Sequence, residues 1–379
     1  MFYQTPPVGS PIRLFSRVPT ESLLRDIFLP YTPHYFNSGT SALAAAVVVA
    51  IRVMGKENPE VILPAYGCPN LVSAVVFAGA KPVLVDMEQD RPWMDLEQLS
   101  SCISTRTVAI VAVNLFGIQE RLEALQDIAG QASILLIEDS AQSFPEQKGD
   151  SFWVGDLVVI SFGRGKPVSL LGGGALLYRE KALGGLLPED VTGAGGDVLL
   201  RLNIAIYNLM ISPYLYWIPQ SLPFLHLGET QYHPLSGIEA MDSARLRLLA
   251  GNIQRYRDDR PKTQLALADA FVEMRENGTD IIDLPVACNT SRSRRLLRYP
   301  LLIDPQWRDR LYRRLRREGL GPSRMYPSSL PNIPGLEDLL HVQGTFPVAE
   351  EFARCILTLP THNRLRKPDI KKIWQNLSY

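Results

Sequence analysis

Between residues 35 and 180 the chain alternates short apolar runs with stretches long enough to form helices, a pattern that few folds accept. The runs are Val61–Ala65, Pro82–Met87, Val108–Phe116, Ile134–Asp139, Leu157–Phe162 and Ala175–Tyr178. Each is almost continuously apolar, so each reads as a strand buried on both faces. The intervening segments are of crossover length. Together they predict an α/β fold with a mostly parallel central sheet and helices on both faces. Ligands in such folds gather outside the carboxyl ends of the strands. Asp139 and Ser161 stand at two of those ends and are the first candidates for chemistry.

With 379 residues, the chain can form one large domain and a smaller one. The expected division is an N-terminal segment over 1–34, the large α/β domain over 35–190, an apolar aromatic segment over 191–235 and a smaller α+β domain over 236–379. In the last, one helical pattern runs towards Glu276. Strand-like pieces follow at Ile281–Leu284, Leu296–Ile303 and Cys355–Leu359. A basic helix, Gln306–Glu318, carries Arg308, Arg310, Arg313, Arg314, Arg316 and Arg317, read as a solvated face or an anion-binding rim. Segment 191–235 is interrupted by Pro213, Pro219 and Pro223, and Asn203, Asn208 and Gln220 also argue against a membrane span. It reads as a packed insertion or dimer-interface element, with a membrane-surface helix pair as the alternative.

Lys+Arg and Asp+Glu are both 39, so the net charge is zero and a strongly basic nucleic-acid binder is disfavoured. The charge is unevenly spread: residues 1–190 hold 14 basic and 20 acidic side chains, and the remainder 25 and 19. Cys68, Cys102, Cys288 and Cys355 form no CxxC pair and the five histidines no HExxH, so neither a disulfide framework nor a metal site is expected. The first residues lack an apolar core of signal-peptide length, and the expected location is cytoplasmic.

Lys166 lies on the glycine-rich stretch SFGRGK, residues 161–166. A phosphate-binding P-loop is excluded, because Ile160 stands where its first glycine should be and Pro167 follows the lysine. A Schiff-base lysine and a plain surface lysine remain. Upstream, IEDSAQ at 137–142 sets Asp139 at a strand end. A carboxylate there can hold the ring nitrogen of pyridoxal phosphate protonated; otherwise it caps a turn. Gln142 could donate to the ring's phenolic oxygen or simply bond within the turn. NSGTSAL at 37–43 opens an alanine-rich helix, and the backbone at Gly39, Thr40 and Ser41 suits a phosphate, with ordinary N-capping as the alternative. Ser161 could add a hydroxyl to the same phosphate.

In this order the pieces resemble the DegT/DnrJ/StrS family of pyridoxal-phosphate sugar aminotransferases, from about residue 35 to the end. The matching stretches are SGTSAL at 38–43, VILPAYGCPNLVSAVVFAGAKPVLVDM at 61–87, IEDSAQSF at 137–144, GDLVVISFGRGK at 155–166, GGGALL at 172–177 and FPVAEEFARCILTLPTH at 346–362. The resemblance implies a fold-type-I aminotransferase using pyridoxal 5'-phosphate. Lys166 would be the cofactor-binding lysine, Asp139 the pyridinium partner, Gln142 the phenolate partner, and Gly39, Thr40 and Ser161 the phosphate cup. It also implies a homodimer that moves an amino group from glutamate to a nucleotide-linked keto sugar, in polysaccharide or glycoconjugate synthesis.

Three departures stand out. Cys68 occupies the position where the family stacks an aromatic ring on the cofactor, with Tyr66 nearby. The stretch that reaches across the family's dimer lacks its asparagine; Gln231, Tyr232 or Arg164 could replace it. Arg324 and Arg298 are candidates for a substrate anion. A histidine in place of Lys166 would mark the related dehydratases. A non-sugar or lipid-linked acceptor, or an inactive binding or regulatory homologue, are the alternatives.

Overall fold

The computed structural model describes residues 3–15, 20–146, 152–189, 196–222, 228–276, 281–340 and 344–377. Helix α1 (Thr20–Phe28) leads into β1 (Thr32–Phe36), α2 (Gly39–Met54), β2 (Glu60–Pro64), α3 (Asn70–Phe77) and β3 (Lys81–Val85). Then come α4 (Leu96–Cys102), β4 (Thr107–Val113), α5 (Leu122–Ala132), β5 (Leu135–Asp139), β6 (Leu157–Ser161) and β7 (Gly174–Tyr178). All seven strands join one sheet, in the order β1-β7-β6-β5-β4-β2-β3. Strands β3, β2, β4, β5 and β6 run parallel, as their apolar runs predict; β7 runs antiparallel beside β6, and the edge strand β1, antiparallel to β7, runs in the same direction as the rest.

Alternate strand residues serve opposite faces. Leu63, Val111 and Ile137 join a core under α2 and α3, whereas Ile62, Ile110 and Leu136 meet α4 and α5. Val158 and Ile160 face α1 and the helix starting at Ser243. Helix α2 is buried from Ser41 to Val47, and its alanines allow this close approach to the sheet.

Past the sheet lie α6 (Lys181–Gly184), α7 (Asp197–Met210), α8 (Trp217–Gln220), α9 (Ser243–Asp258) and α10 (Lys262–Glu276). The helical pattern expected to run on to Glu276 is broken between Asp258 and Lys262, where Pro261 lacks an N–H to continue α9. The remaining elements are β8 (Ile282–Asp283), α11 (Leu284–Ala287), β9 (Arg298–Leu302), α12 (Pro305–Arg317), α13 (Glu337–Leu340), α14 (Pro347–Cys355), β10 (Ile356–Pro360) and α15 (Lys367–Leu377). Strands β10, β9 and β8 form a three-stranded antiparallel sheet. Its Tyr299, Leu301 and Leu357 share an apolar cluster with α2 and α3 of the larger sheet.

Residues 3–15 form a strap without regular secondary structure. Distant side chains grip its backbone. Asn208 of α7 bonds both the N–H and the carbonyl of Ile12 at 2.8 Å, and Asn252 of α9 does the same at Arg13, at 2.8 and 3.1 Å. Arg298 donates to the Pro7 carbonyl and His362 Nε2 to that of Pro6 at 2.9 Å. Buried Arg298 also donates to Thr358 and Gly321. That commits the guanidinium to holding the strap, not to a substrate anion.

Candidate active site

The sheet order brings distant segments to one edge. In the β6–β7–β1 ladder, Gly174 is opposite both Ser161 and Phe36, so the chain leaves β6 and enters α2 side by side. Asp139 ends the adjacent parallel strand β5. Residues after β1, β2, β4, β5 and β6 therefore meet at one edge.

Ser38 is extended (φ −153°) and caps α2 by accepting the Ser41 N–H. The Ser41 hydroxyl bonds Asn37 Oδ1 at 2.7 Å and Ser38 Oγ at 2.9 Å, so Ser41 belongs to the cap. The cap leaves the Thr40 N–H at the positive end of the helix. Gly39 lies hard against Ser161: a Cβ there would be 2.6 Å from Ser161 Cβ and 2.8 Å from its Oγ. A helix N-terminus and a serine hydroxyl thus form a cradle too narrow for any side chain at position 39.

Lys166 sits on a loop closed at its base. Phe162 receives the N–H groups of Leu170 and Gly172 and donates its own to Gly173. Gly165 has φ +81°, and Val8 of the strap lies 3.1 Å from where its Cβ would be. Lys166 is close enough to the buried Asp139 carboxyl and Cys68 thiol to act on both. Burial pushes Asp139 above the usual carboxylate range, opposed by the Ala141 N–H at 2.8 Å and by Lys166. A cation beside Asp139 would reverse that desolvation.

Beneath Asp139, buried Glu138 accepts from Asn114, Ser140 and the Val154 and Gly155 N–H groups, fixing the end of β5. Gln142 accepts the Phe116 N–H at 2.9 Å and donates to the Tyr326 hydroxyl at 3.2 Å. One of its N–H bonds is therefore already committed.

Tyr326 is the residue that sequence reasoning missed. It is buried beside Cys68, Asp139 and Gln142, and burial raises its hydroxyl well above the usual tyrosine range. Tyr66 is fully buried; its hydroxyl contacts the Met325 carbonyl at 2.5 Å and accepts the Tyr326 N–H. It serves as a post for residues 325–326, so an aromatic residue reaches Cys68 from far along the chain. The only signal in the sequence was a lone tyrosine before Pro327.

Other candidates lie elsewhere. Arg164 is exposed and acts on Tyr207 and Tyr216. Gln231 pairs with Glu229 at 3.0 Å, and Tyr232 packs near Gly335. Arg324 pairs with Asp309 at 3.4 Å and lies over the Tyr312 ring. Among the described residues no group of acidic, histidine or cysteine side chains could hold a metal ion.

The narrow cradle at Gly39 and Ser161, and a buried carboxyl facing a loop-borne lysine, fit pyridoxal 5'-phosphate. The fold is that of the fold-type-I aminotransferases, and the family match makes the chain a pyridoxal-phosphate-dependent aminotransferase. The chain belongs to the DegT/DnrJ/EryC1/StrS aminotransferase family, whose profile matches residues 34–185 and 246–378. It is 26% identical over 349 residues to the dTDP-3-amino-3,4,6-trideoxy-alpha-D-glucose transaminase of Streptomyces venezuelae, covering 89% of this chain and 79% of that one. It is 25% identical over 344 residues to the UDP-N-acetyl-3-dehydro-alpha-D-glucosamine 3-aminotransferase of Acidithiobacillus ferrooxidans, covering 89% and 80%. The structure of S. venezuelae DesV in complex with a ketimine intermediate superposes with a TM-score of 0.66 at 21% identity, covering 91% of this chain and 84% of that one.

Proposed function

We propose that this chain transfers an amino group from glutamate to a nucleotide-linked keto sugar, as a cytoplasmic homodimer, and that Lys166 is its catalytic residue. The observation that carries this reading is the meeting of Lys166, Asp139, Ser161 and the start of α2 at one sheet edge. Relatives of which the chain covers 79 and 80% are transaminases of dTDP- and UDP-linked sugars, which supports the acceptor class.

Pyridoxal phosphate, when bound, supplies an electron sink for the carbon that loses its proton. The chain's residues do the rest. The Thr40 N–H and Ser161 hydroxyl would hold the phosphate, with Gly39 allowing the approach. Asp139 would keep the ring nitrogen protonated; its carboxylate is held by the Ala141 N–H, and the Glu138–Asn114–Ser140 network fixes the end of β5 beside it. The Lys166 amine would hold the cofactor and would move the substrate proton, as base and then acid. Tyr326, Cys68 and Gln142, which lie together, would line the ring side and exclude water.

The test is an absorbance titration with pyridoxal phosphate, followed by glutamate and then a panel of keto-sugar nucleotides. The proposal expects lysine-bound cofactor, its conversion to the amine form by glutamate, and an amino-sugar product. Absence of lysine-bound cofactor in folded protein would overturn the role of Lys166. Conversion by glutamate with no amino sugar from any acceptor would overturn the substrate class alone.

A further inference from the structure

Helix α7 lies outside the residues that the family profile matches. Its inner side packs through Leu200 and Ile204. Its outer side carries Val198, Leu199, Leu202, Ile206 and Leu209, which are 81, 62, 54, 50 and 55% exposed. At roughly 100° per residue these five fall within a single arc of about 100°, and that arc holds no charged residue. The helix is followed by exposed Tyr214 and Trp217. A water-facing apolar stripe of this length is unusual on a soluble surface. The sequence-based expectation for this segment is a packed insertion or dimer-interface element; the inner side of the helix packs and its outer side is exposed.

Consecutive strap residues link the chain just after α7 to the chain just after α12: the Gln4 N–H bonds the Pro213 carbonyl and the Thr5 N–H the Gly319 carbonyl, both at 2.7 Å. Arg316 is close enough to act on Tyr216. Helix α12 buries Leu311 and Leu315 and exposes Arg310, Arg313, Arg314, Arg316 and Arg317. Asp309, its only acidic residue, is engaged by Arg308 and Arg324. Glu318, just beyond, faces Arg314 at 3.7 Å. Trp307 is 55% exposed under Arg310.

We propose that α7, α8 and α12 form a peripheral docking surface for an anionic phospholipid bilayer. The apolar stripe and tryptophans would enter the headgroup boundary and the arginines would meet lipid phosphates. Among the described residues no helix is long and apolar enough to cross a membrane, so the contact is superficial. Charge complementarity selects this occupant over a second copy of the chain. A two-fold contact buries the same patch on both partners and would bring two arginine rows together.

The test uses the full chain loaded with pyridoxal phosphate and vesicles of phosphatidylcholine with or without phosphatidylglycerol, followed by co-sedimentation. The proposal expects binding to the anionic vesicles only, weakened by salt. Arg313→Gln/Arg317→Gln should weaken it roughly 25-fold, about fivefold per charge. Leu202→Gln/Ile206→Gln should weaken it at least about tenfold with unchanged melting temperature. Equal binding to both vesicle types, or to neither, overturns the proposal. So does conversion of a dimer to a monomer by Leu202→Gln/Ile206→Gln in sedimentation velocity, which would assign the stripe to a second copy. None of these residues lies in the proposed active site, so failure here is distinguishable from failure of the aminotransferase reading.

Discussion

Gly39→Ala tests the phosphate cradle most directly. The new methyl would sit 2.6 Å from Ser161 Cβ and 3.3 Å from its Cα, where ordinary contact begins at 3.4 Å. Rotating Ser161 relieves the contact with Oγ but not those with Cβ and Cα. The start of α2 must therefore retreat by close to 1 Å. Helix α2 is buried from Ser41 to Val47 and cannot slide freely. Overpacking of this kind costs about 1–3 kcal/mol. Alanine's better helix propensity acts the other way, by up to about 1 kcal/mol. A retreat of that size also stretches hydrogen bonds from α2 and Ser161 to a bound phosphate beyond the useful range. Losing one charge-assisted bond of about 1.5–3 kcal/mol weakens cofactor binding by roughly 10- to 100-fold. Melting of the apoprotein and fluorescence titration with pyridoxal phosphate read the two effects separately. Gly130→Ala on α5 is the control, since nothing lies within 4 Å of its Cβ position. It should hold or raise the melting temperature and leave cofactor affinity unchanged. If Gly39→Ala binds the cofactor as tightly as the wild type, the phosphate is not held at the start of α2.

Asp139→Asn keeps the shape but removes the charge, and should lower turnover at least about 100-fold, measured with saturating cofactor and acceptor. Lys166→Ala should abolish turnover and the visible absorption of lysine-bound cofactor, while melting still shows a folded protein. Tyr326→Phe removes the acceptor of the Gln142 N–H and should cost about 1 kcal/mol in stability. Unchanged stability of Tyr326→Phe in urea melts would refute that contribution. His362 bonds Pro6 through Nε2 and accepts the Arg364 N–H at Nδ1, so its half-buried ring is neutral, with its pKa lowered to about 4 by desolvation. The unfolded chain binds that proton at higher pH, so stability should fall as pH drops from about 6.5 to 4. His362→Gln should flatten that slope in urea melts.

Legibility followed the path of the chain. Strands β2 to β7 were readable because five of them are buried on both faces and spell continuous apolar runs. Strand β1, TPHYF, was not, because it is a half-exposed edge strand with proline and histidine in a five-residue run. Asp139 and Ser161 were readable as polar residues ending such runs. The antiparallel turn of β7 was not, since the long loop carrying Lys166 hides the pairing of Ser161 with Gly174.

Tyr326 shows where local reading must stop. The family's stacking ring is sought near residue 68, because the resemblance puts that position beside the cofactor. This chain has a thiol at that point, and the ring beside it comes from residue 326 by way of Tyr66. Tyr66 bonds the backbone at 325 and 326 rather than a side chain, so residue types alone do not announce the pairing. The strap makes the same point in reverse. Asn208, Asn252, Arg298 and His362 are four unremarkable polar residues until one extended segment passes between them. Each then bonds backbone groups that a segment without regular structure cannot satisfy for itself. Val8 of that segment lies against the Lys166 loop at Gly165. The loop's position is thus set by residues at both ends of the chain, which no local motif can encode.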